Sequence, residues 1–129
     1  MSKTPFFRGA RPSNDKFPNA MRSGGLIFIS GHVAVGEGGV VDSPDDVVAQ
    51  ADVIFERITQ LLDLAGSDMR HVLKINAFLT NPDDYPAYNE ARHRWFPVDP
   101  PASASVVVKS LVTPGIVLEV DGMAEVVKR

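Results

Sequence analysis

A glutamate in the middle of a strand-forming segment is the residue whose position most strongly suggests chemistry. Glu119 lies within the segment 116–126, in which side chains alternate between two faces as they do in a half-buried β-strand. A carboxylate there must be hydrated, paired or used in a reaction, because burying an unpaired charge is costly. Two interpretations are open: Glu119 positions or activates a water molecule, or its carboxylate forms hydrogen bonds across a subunit interface.

A histidine at the end of an apolar run is the second candidate. His32 closes the run that begins at Leu26, and its imidazole could donate or accept a proton near neutral pH. It could equally be a strand-end histidine whose ring is bonded to the backbone. The other histidines, His71 and His93, complete no metal-binding spacing, and the chain contains no cysteine. We therefore predict neither a metal site nor a disulfide.

Composition and charge narrow the class of protein. A chain of 129 residues is about one domain long, and 44% hydrophobic with 22% charged residues is ordinary globular usage. The net charge of −3 gives no electrostatic reason to expect a nucleic-acid partner. There is no membrane-spanning apolar stretch, no signal-peptide pattern, and no nucleotide-binding motif in the glycine-rich residues 36–39. We predict a cytoplasmic protein without cofactor, nucleic acid or membrane partner.

Hydrophobic periodicity outlines the strands. Residues 1–16 lack periodicity and predict an N-terminal arm that is loosely ordered unless it docks, while 17–129 form a single domain. Within that domain the apolar runs and turn signals predict a tight hairpin near the N-terminus and two strands near the C-terminus. The predicted strands are 20–22, 26–30, 71–79, 104–108 and 116–126, with an optional short strand at 40–41.

Two helices are predicted from similar start signals. The first has Ser43 as N-cap and Pro44 in its first turn, and it ends at Gly66. The second has Asn81 as N-cap and stops before Pro97. The resulting order, ββ(β)αβαββ, predicts an α+β fold in which both helices pack on one face of a mixed β-sheet.

The face of the sheet without helices should be exposed. It is expected to carry Val106 or Val107, together with Val117 and Met123, which is more apolar surface than a solvated face should have. Self-association through this face follows as a hypothesis.

Four spaced segments carry a family resemblance. They are Phe17–Ala20, Ile29–His32, Tyr88–Asn89 and a C-terminal pair, PPASA at 100–104 and LEVDGMA at 118–124. Together they resemble the Rid family, also called YjgF/YER057c/UK114, which contains the reactive-intermediate (enamine/imine) deaminases. The resemblance implies a chorismate-mutase-like fold, closed homotrimers and small-molecule clefts between subunits.

The resemblance also implies a set of site residues. Gly31, Asn89 and Glu119 match the family, and Ser30 provides the Ser-Gly turn. Three positions depart from it: the cleft tyrosine is Phe17, the carboxylate-binding arginine is Ser103, and the glutamine common after Ser-Gly is His32. The implied catalytic residues are Glu119 and His32, and the implied substrate-binding residues are Phe17, Ser30, Gly31, Asn89 and Ser103.

The implied activity is hydrolysis of an enamine, imine or related reactive intermediate. Because Ser103 cannot make the bidentate contact of an arginine, the resemblance implies altered specificity. The alternatives are a non-catalytic trimer that binds a small metabolite or a partner protein, and a structural or chaperone-like trimer. Ribonuclease activity, also ascribed to the family, is disfavoured by the acidic chain. We expect Glu119 to lie beside Ser103 and opposite Gly31, with its pKa raised by burial.

Overall fold

The computed structural model describes residues 2–8 and 17–127 of the chain. Six strands form one mixed sheet in the order β1-β2-β3-β6-β4-β5, in which every neighbouring pair is antiparallel except the parallel pair β4 and β5. The strands are β1 Lys3–Phe6, β2 Ala20–Ser23, β3 Leu26–His32, β4 Val72–Leu79, β5 Ala102–Val107 and β6 Leu118–Glu125, and the helices are α1 Val47–Ala65 and α2 Tyr85–Trp95. The predicted order ββ(β)αβαββ is confirmed. The additional strand, however, is β1, whereas Val41 forms only an isolated bridge with Val35.

The first helix begins later than the sequence predicts. Its N-cap is Asp46, whose side chain accepts a hydrogen bond from the Ala49 amide at 3.0 Å. The predicted cap, Ser43, has φ of 52° and belongs to the preceding turn. Asp46 is the N-cap because its backbone is extended, as an N-cap requires, whereas the backbone at Ser43 is left-handed. The end is as predicted, since Gly66 has φ of 91° and closes the helix in the left-handed conformation.

The second helix is preceded by one turn of 3-10 helix. Asn81 caps that turn, Pro82–Asp84, by accepting a hydrogen bond from the Asp83 amide at 2.9 Å. The α-helix itself begins at Tyr85. The predicted cap is therefore confirmed for the short turn that leads into α2.

Both helices cover the same face of the sheet. On α1 the apolar stripe is fully buried, and on β6 the buried side chains alternate with partly exposed ones from Leu118 onwards. An aromatic cluster joins the two helices: the Phe55 ring lies 5.5 to 6.4 Å from the rings of Tyr88, Trp95 and Phe96. The core therefore lies between α1, α2 and the central strands β3, β6 and β4.

The N-terminal residues dock on the sheet edge. The predicted arm, 1–16, contains Lys3–Phe6, which pairs antiparallel with β2 as β1. The rest of that predicted arm, from residue 9 to residue 16, lies outside the described residues. No helix among the residues described in the structure is long and apolar enough to cross a membrane.

The face of the sheet opposite the helices exposes apolar side chains. Phe28 is 45% exposed and Val106 is 49% exposed, and Met123 is partly exposed beside Phe28 in the register of β3 and β6. Val117, which the alternation also assigns to this face, is only 9% exposed because it precedes β6 and packs into the core. The prediction that the face carries exposed apolar side chains is thus confirmed for Val106 and wrong for Val117. Self-association through the face remains a prediction.

Candidate functional site

A β-bulge brings Gly31 against Glu119. Between β3 and β6 the register shifts from Ile29 opposite Gly122 to His32 opposite Val120, so that two residues of β3 face one residue of β6. A Cβ atom added at Gly31 would collide with Glu119 Oε2 and would lie 3.1 Å from its Cδ. The Glu119 carboxylate can therefore occupy its position only because residue 31 has no side chain.

The other bulge residue, Ser30, ties the segment before β2 to β3. Its hydroxyl donates to the Pro18 carbonyl at 2.7 Å, and its amide donates to the Asn19 carbonyl at 2.9 Å. These two bonds hold the segment that begins at Phe17, whose ring is 64% exposed. Ser30 therefore acts on the backbone around the site, while Phe17 presents its ring beside it.

Phe17, Gly31 and Glu119 line one cavity of about 410 Å³. The other lining residues are Val33, Val35, Val112, Thr113 and Ile116. The structure therefore brings three of the seven implied site residues together in a cavity whose walls are mostly apolar. A concave, largely apolar site with one acidic group is the usual form of a small-molecule pocket.

The environment of Glu119 makes its carboxylate a better proton acceptor. Burial, and secondarily the charge of Asp121, raises the pKa of Glu119 above its ordinary value of 4.5. Asp121 is itself held by the Asn76 side-chain amide, which donates to its Oδ1 at 2.8 Å. The expected direction of the pKa shift is confirmed.

His32 lies behind the cavity wall. Its side chain is on the buried side of β3 and is 4% exposed, and its ring is absent from the residues that line the cavity. Nδ1 donates to the Ser30 carbonyl at 2.7 Å, and within the described part of the chain Nε2 has no partner. Burial first, and then the charges of Arg8 and Arg57, lower the pKa of His32 below 6.5. This geometry corresponds to the second interpretation above, a strand-end histidine bonded to backbone.

Arg57 holds one wall of the cavity from outside. Its Nη1 donates to the carbonyl oxygens of Val33 at 3.1 Å and of Val35 at 2.8 Å, and its Nη2 lies 3.6 Å from the Asp42 carboxylate. Val33 and Val35 both line the cavity, so the hydrogen bonds from Arg57 on α1 fix the position of the loop that follows β3.

Gln50 holds the opposite wall. Its amide nitrogen donates to the carbonyls of Ser43 and Gly115, and its Oε1 accepts from the Val117 amide at 3.0 Å. The residue is fully buried. Two of the three bonds fix the segment that leads from Thr113 to β6, and the third holds the turn before α1. Sequence reasoning missed Gln50, although a polar residue between Val47 and Ala51 on the apolar face of a helix is a usable signal.

Two implied site residues stand apart from the cavity. Ser103 pairs with Ile75 of β4, whereas Glu119 pairs with Phe78 of the same strand, so β4 lies between the two residues. Because Ile75 and Phe78 are three positions apart, the side chains of Ser103 and Glu119 lie on opposite faces of the sheet. The expectation that Ser103 lies beside Glu119 in one chain is therefore wrong, because β6 neighbours β4 and not β5. Asn89 lies on α2, where its Oδ1 accepts hydrogen bonds from Arg92 at 2.8 and 3.3 Å.

The described residues contain no group of three or more His, Cys, Asp or Glu side chains placed to hold a metal ion. Among its described lining residues the cavity presents one carboxylate, that of Glu119, whose pKa is raised, and mostly apolar walls.

Comparison with known proteins places the chain in a family. Residues 9–126 match the family described as Endoribonuclease L-PSP. The chain is 36% identical over 106 residues to the mitochondrial protein mmf2 of Schizosaccharomyces pombe, covering 82% of each chain. It is 30% identical over 118 residues to the 3-aminoacrylate deaminase RutC of Acinetobacter baylyi, covering 92% of this chain and 93% of that protein.

Solved structures agree on the fold. The yeast protein YEO7 superposes with a TM-score of 0.87 at 24% identity, covering 98% of this chain and 100% of that one. A Mycobacterium tuberculosis member of the YjgF/YER057c/UK114 family superposes with a TM-score of 0.82 at 25% identity, covering 97% and 100%. The predicted fold class is confirmed, and the chain belongs to the Endoribonuclease L-PSP family, that is, the Rid or YjgF/YER057c/UK114 family.

Proposed function

We propose that this chain hydrolyses an enamine or imine in the cavity beside Glu119. The observation that carries the proposal is the Glu119 carboxylate, which lines the cavity against Gly31 and has a raised pKa. The similarity to a 3-aminoacrylate deaminase of Acinetobacter baylyi supports the reaction class. The apolar walls support a small organic substrate.

In the proposed reaction Glu119 accepts a proton from water as the water oxygen bonds to the C=N carbon. Glu119 then returns this proton to the nitrogen of the carbinolamine and accepts the hydroxyl proton as the C–N bond breaks and the carbonyl forms. The released ammonia takes up that proton and leaves as ammonium. For a protonated imine the balance is R₂C=NH₂⁺ + H₂O → R₂C=O + NH₄⁺. An enamine enters the same sequence after protonation at carbon. A base of raised pKa serves this step better than an exposed glutamate, because its conjugate acid is closer to neutral pH.

The remaining implied residues take supporting roles in this proposal. Gly31 leaves space for the carboxylate, and the Phe17 ring forms one side of the cavity. His32 is a positioning residue, since its Nδ1 bond to the Ser30 carbonyl braces the bulge that presents Gly31. Its low pKa keeps the ring neutral near pH 7, so the bond does not depend on a charge.

A second part of the proposed site comes from another copy of the chain. Ser103 is separated from Glu119 by β4 within one chain, and Asn89 lies on α2 and is not among the described residues that line the cavity. In this proposal both residues reach the cavity across an interface. The apolar side chains on the helix-free face, such as Phe28, supply the surface for such an interface. A closed homotrimer with clefts between subunits would join the two parts.

Replacement of Glu119 tests the proposal. Glu119→Gln keeps the shape of the side chain but cannot accept the proton, so we expect the rate of ammonia release to fall by about 10²- to 10⁴-fold. An aliphatic aldimine generated in situ would be the substrate, and 2-aminoacrylate, which carries a carboxylate, would be assayed beside it and should be hydrolysed little faster than in buffer. The wild-type kcat/KM should also show an acid limb above pH 4.5, since Glu119 must be ionised and its pKa is raised.

A matched control separates catalysis from folding. Glu90→Gln changes an exposed glutamate on α2 and should leave activity unchanged. Because the folded-state pKa of Glu119 is raised, its ionised form costs stability at neutral pH, and Glu119→Gln should unfold no more easily than wild type. If Glu119→Gln instead dissociates into monomers and activity falls only with the loss of the oligomer, Glu119 is an interface residue. Binding without turnover in wild type would assign the chain to the non-catalytic alternative.

A further inference from the structure

The lining of the cavity indicates which substrates the site can accept. Five of the eight described lining residues present aliphatic or aromatic side chains: Phe17, Val33, Val35, Val112 and Ile116. The other three are Gly31, Thr113 and Glu119. The walls can therefore hold a small branched hydrocarbon group, while Glu119 supplies the only acidic oxygens of the lining in the part of the chain that the structure describes.

The charge in the described cavity lining opposes a bound anion. Glu119 is the one ionisable side chain among the described lining residues, and the negative charge of Asp121 acts on it through the same face of β6. Arg57 touches the wall only from outside, where its guanidinium is bonded to two backbone carbonyls and lies beside the Asp42 carboxylate. The charge of Arg8 acts on the buried His32 and on Arg57, and Arg8 is not among the described lining residues. Within the described lining, a carboxylate ligand would therefore meet like charge without a facing cation.

We infer that the site takes neutral or protonated aliphatic imines that carry no carboxylate. The inference rests on the proposed function for the reaction, but its selectivity is a property of the cavity and can be measured by binding alone. A protonated imine places its positive C=N group against Glu119 and its alkyl group against the valine walls. The balanced reaction for one such substrate is (CH₃)₂CH–CH=NH₂⁺ + H₂O → (CH₃)₂CH–CHO + NH₄⁺.

A matched pair of substrates tests the inference. An amine oxidase acting on isobutylamine generates 2-methylpropan-1-imine, and an amino-acid oxidase acting on valine generates the imino acid with the same branched group and a carboxylate. We expect the protein to accelerate hydrolysis of the aldimine by at least about tenfold more than that of the imino acid. An equal or greater acceleration of imino-acid hydrolysis would overturn the inference and leave the proposed function standing.

Binding of stable analogues gives a readout that does not need turnover. In NMR titrations isobutyramide should bind the wild-type protein at least about tenfold more tightly than isobutyrate. Glu119→Gln should bring the two affinities close together, because it removes the negative charge that repels isobutyrate. Preference for the amide without any hydrolysis would reject the proposed function and keep the selectivity. Tighter binding of isobutyrate, or binding of neither ligand, would reject the selectivity.

A further variant, Arg92→Gln, tests whether a cation on α2 binds the carboxylate of a ligand. Arg92 holds Asn89, which belongs to the second part of the proposed site. Because Arg92→Gln also releases Asn89, it can weaken both ligands, but isobutyramide should remain the tighter of the two by the same ratio. If wild type binds isobutyrate well and Arg92→Gln loses that binding, a cation from α2 serves the cleft and the inference is wrong.

Discussion

Gly31→Ala should disable the site while changing the fold little. The added Cβ would overlap Glu119 Oε2 and lie 3.1 Å from Glu119 Cδ, which is closer than ordinary van der Waals contact. The φ angle of Gly31 lies outside the left-handed region, so alanine introduces no backbone strain there. The whole effect of the substitution therefore falls on the Glu119 carboxylate.

The size of the effect follows from how that contact is relieved. Overpacking costs about 1–3 kcal/mol, and we expect about 1 kcal/mol here because the half-buried carboxylate can rotate away. For a domain of this length that corresponds to a fall in Tm of about 4 °C. The carboxylate must move by about 1 Å, and a misplacement of that size typically lowers kcat/KM by about 100-fold.

Gly25→Ala is the matched control. No atom of the described residues lies within 4 Å of a Cβ placed at Gly25, which is exposed in the turn between β2 and β3. Imine hydrolysis and thermal unfolding of the two variants would be measured side by side. If Gly31→Ala keeps the activity of the control, the position of the Glu119 carboxylate does not matter for the reaction and the proposed role of Glu119 is refuted.

Three other substitutions test the supporting structure. Arg57→Met removes the guanidinium that donates to the carbonyls of Val33 and Val35, so urea denaturation should show a loss of about 2–3 kcal/mol; an unchanged midpoint would contradict this. Burial and neighbouring arginines lower the folded-state pKa of His32, so below pH 6.5 the unfolded chain binds more protons than the folded chain. The free energy of unfolding should therefore fall as the pH drops from about 7.5 to about 5.5. His32→Gln should remove that part of the pH dependence, and an identical dependence in both proteins would refute it. Light scattering should give three times the chain mass of 14.0 kDa for wild type and a smaller mass for Phe28→Glu, whereas a wild-type monomer would reject the trimer.

The helices could be predicted from sequence better than their first turns. Apolar spacing and Gly66 determine the length of α1 because both are local signals. Its start could not be predicted, since Ser43 and Asp46 are both good capping residues and stand three positions apart. Contacts distant in sequence decide between them: the Ser43 carbonyl accepts from Gln50, and the Asp45 amide donates to the Gly115 carbonyl.

The site was only partly predictable for the same reason. Glu119 and Gly31 could be identified because both lie in motifs that resemble the family, and the bulge does bring them together. The position of Ser103 could not be predicted, since it depends on which strands are neighbours in the sheet. Val33 and Val112 lie in loops without periodicity, so nothing in their types marks them as cavity walls. The cytoplasmic location remains a prediction.

The place of β6 in the sheet has a consequence for how the protein is made. This strand follows the other five in the chain, yet it lies between β3 and β4 at the centre of the sheet. During synthesis, β1–β3 and β4–β5 therefore cannot join into one sheet until β6 leaves the ribosome. Until then, β3 and β4 each have one unpaired edge. Such partial sheets are prone to aggregation and need assistance or rapid completion. Because Glu119 is carried by that central strand, the same event that closes the sheet also delivers the carboxylate, and no incomplete nascent chain can hold a formed site.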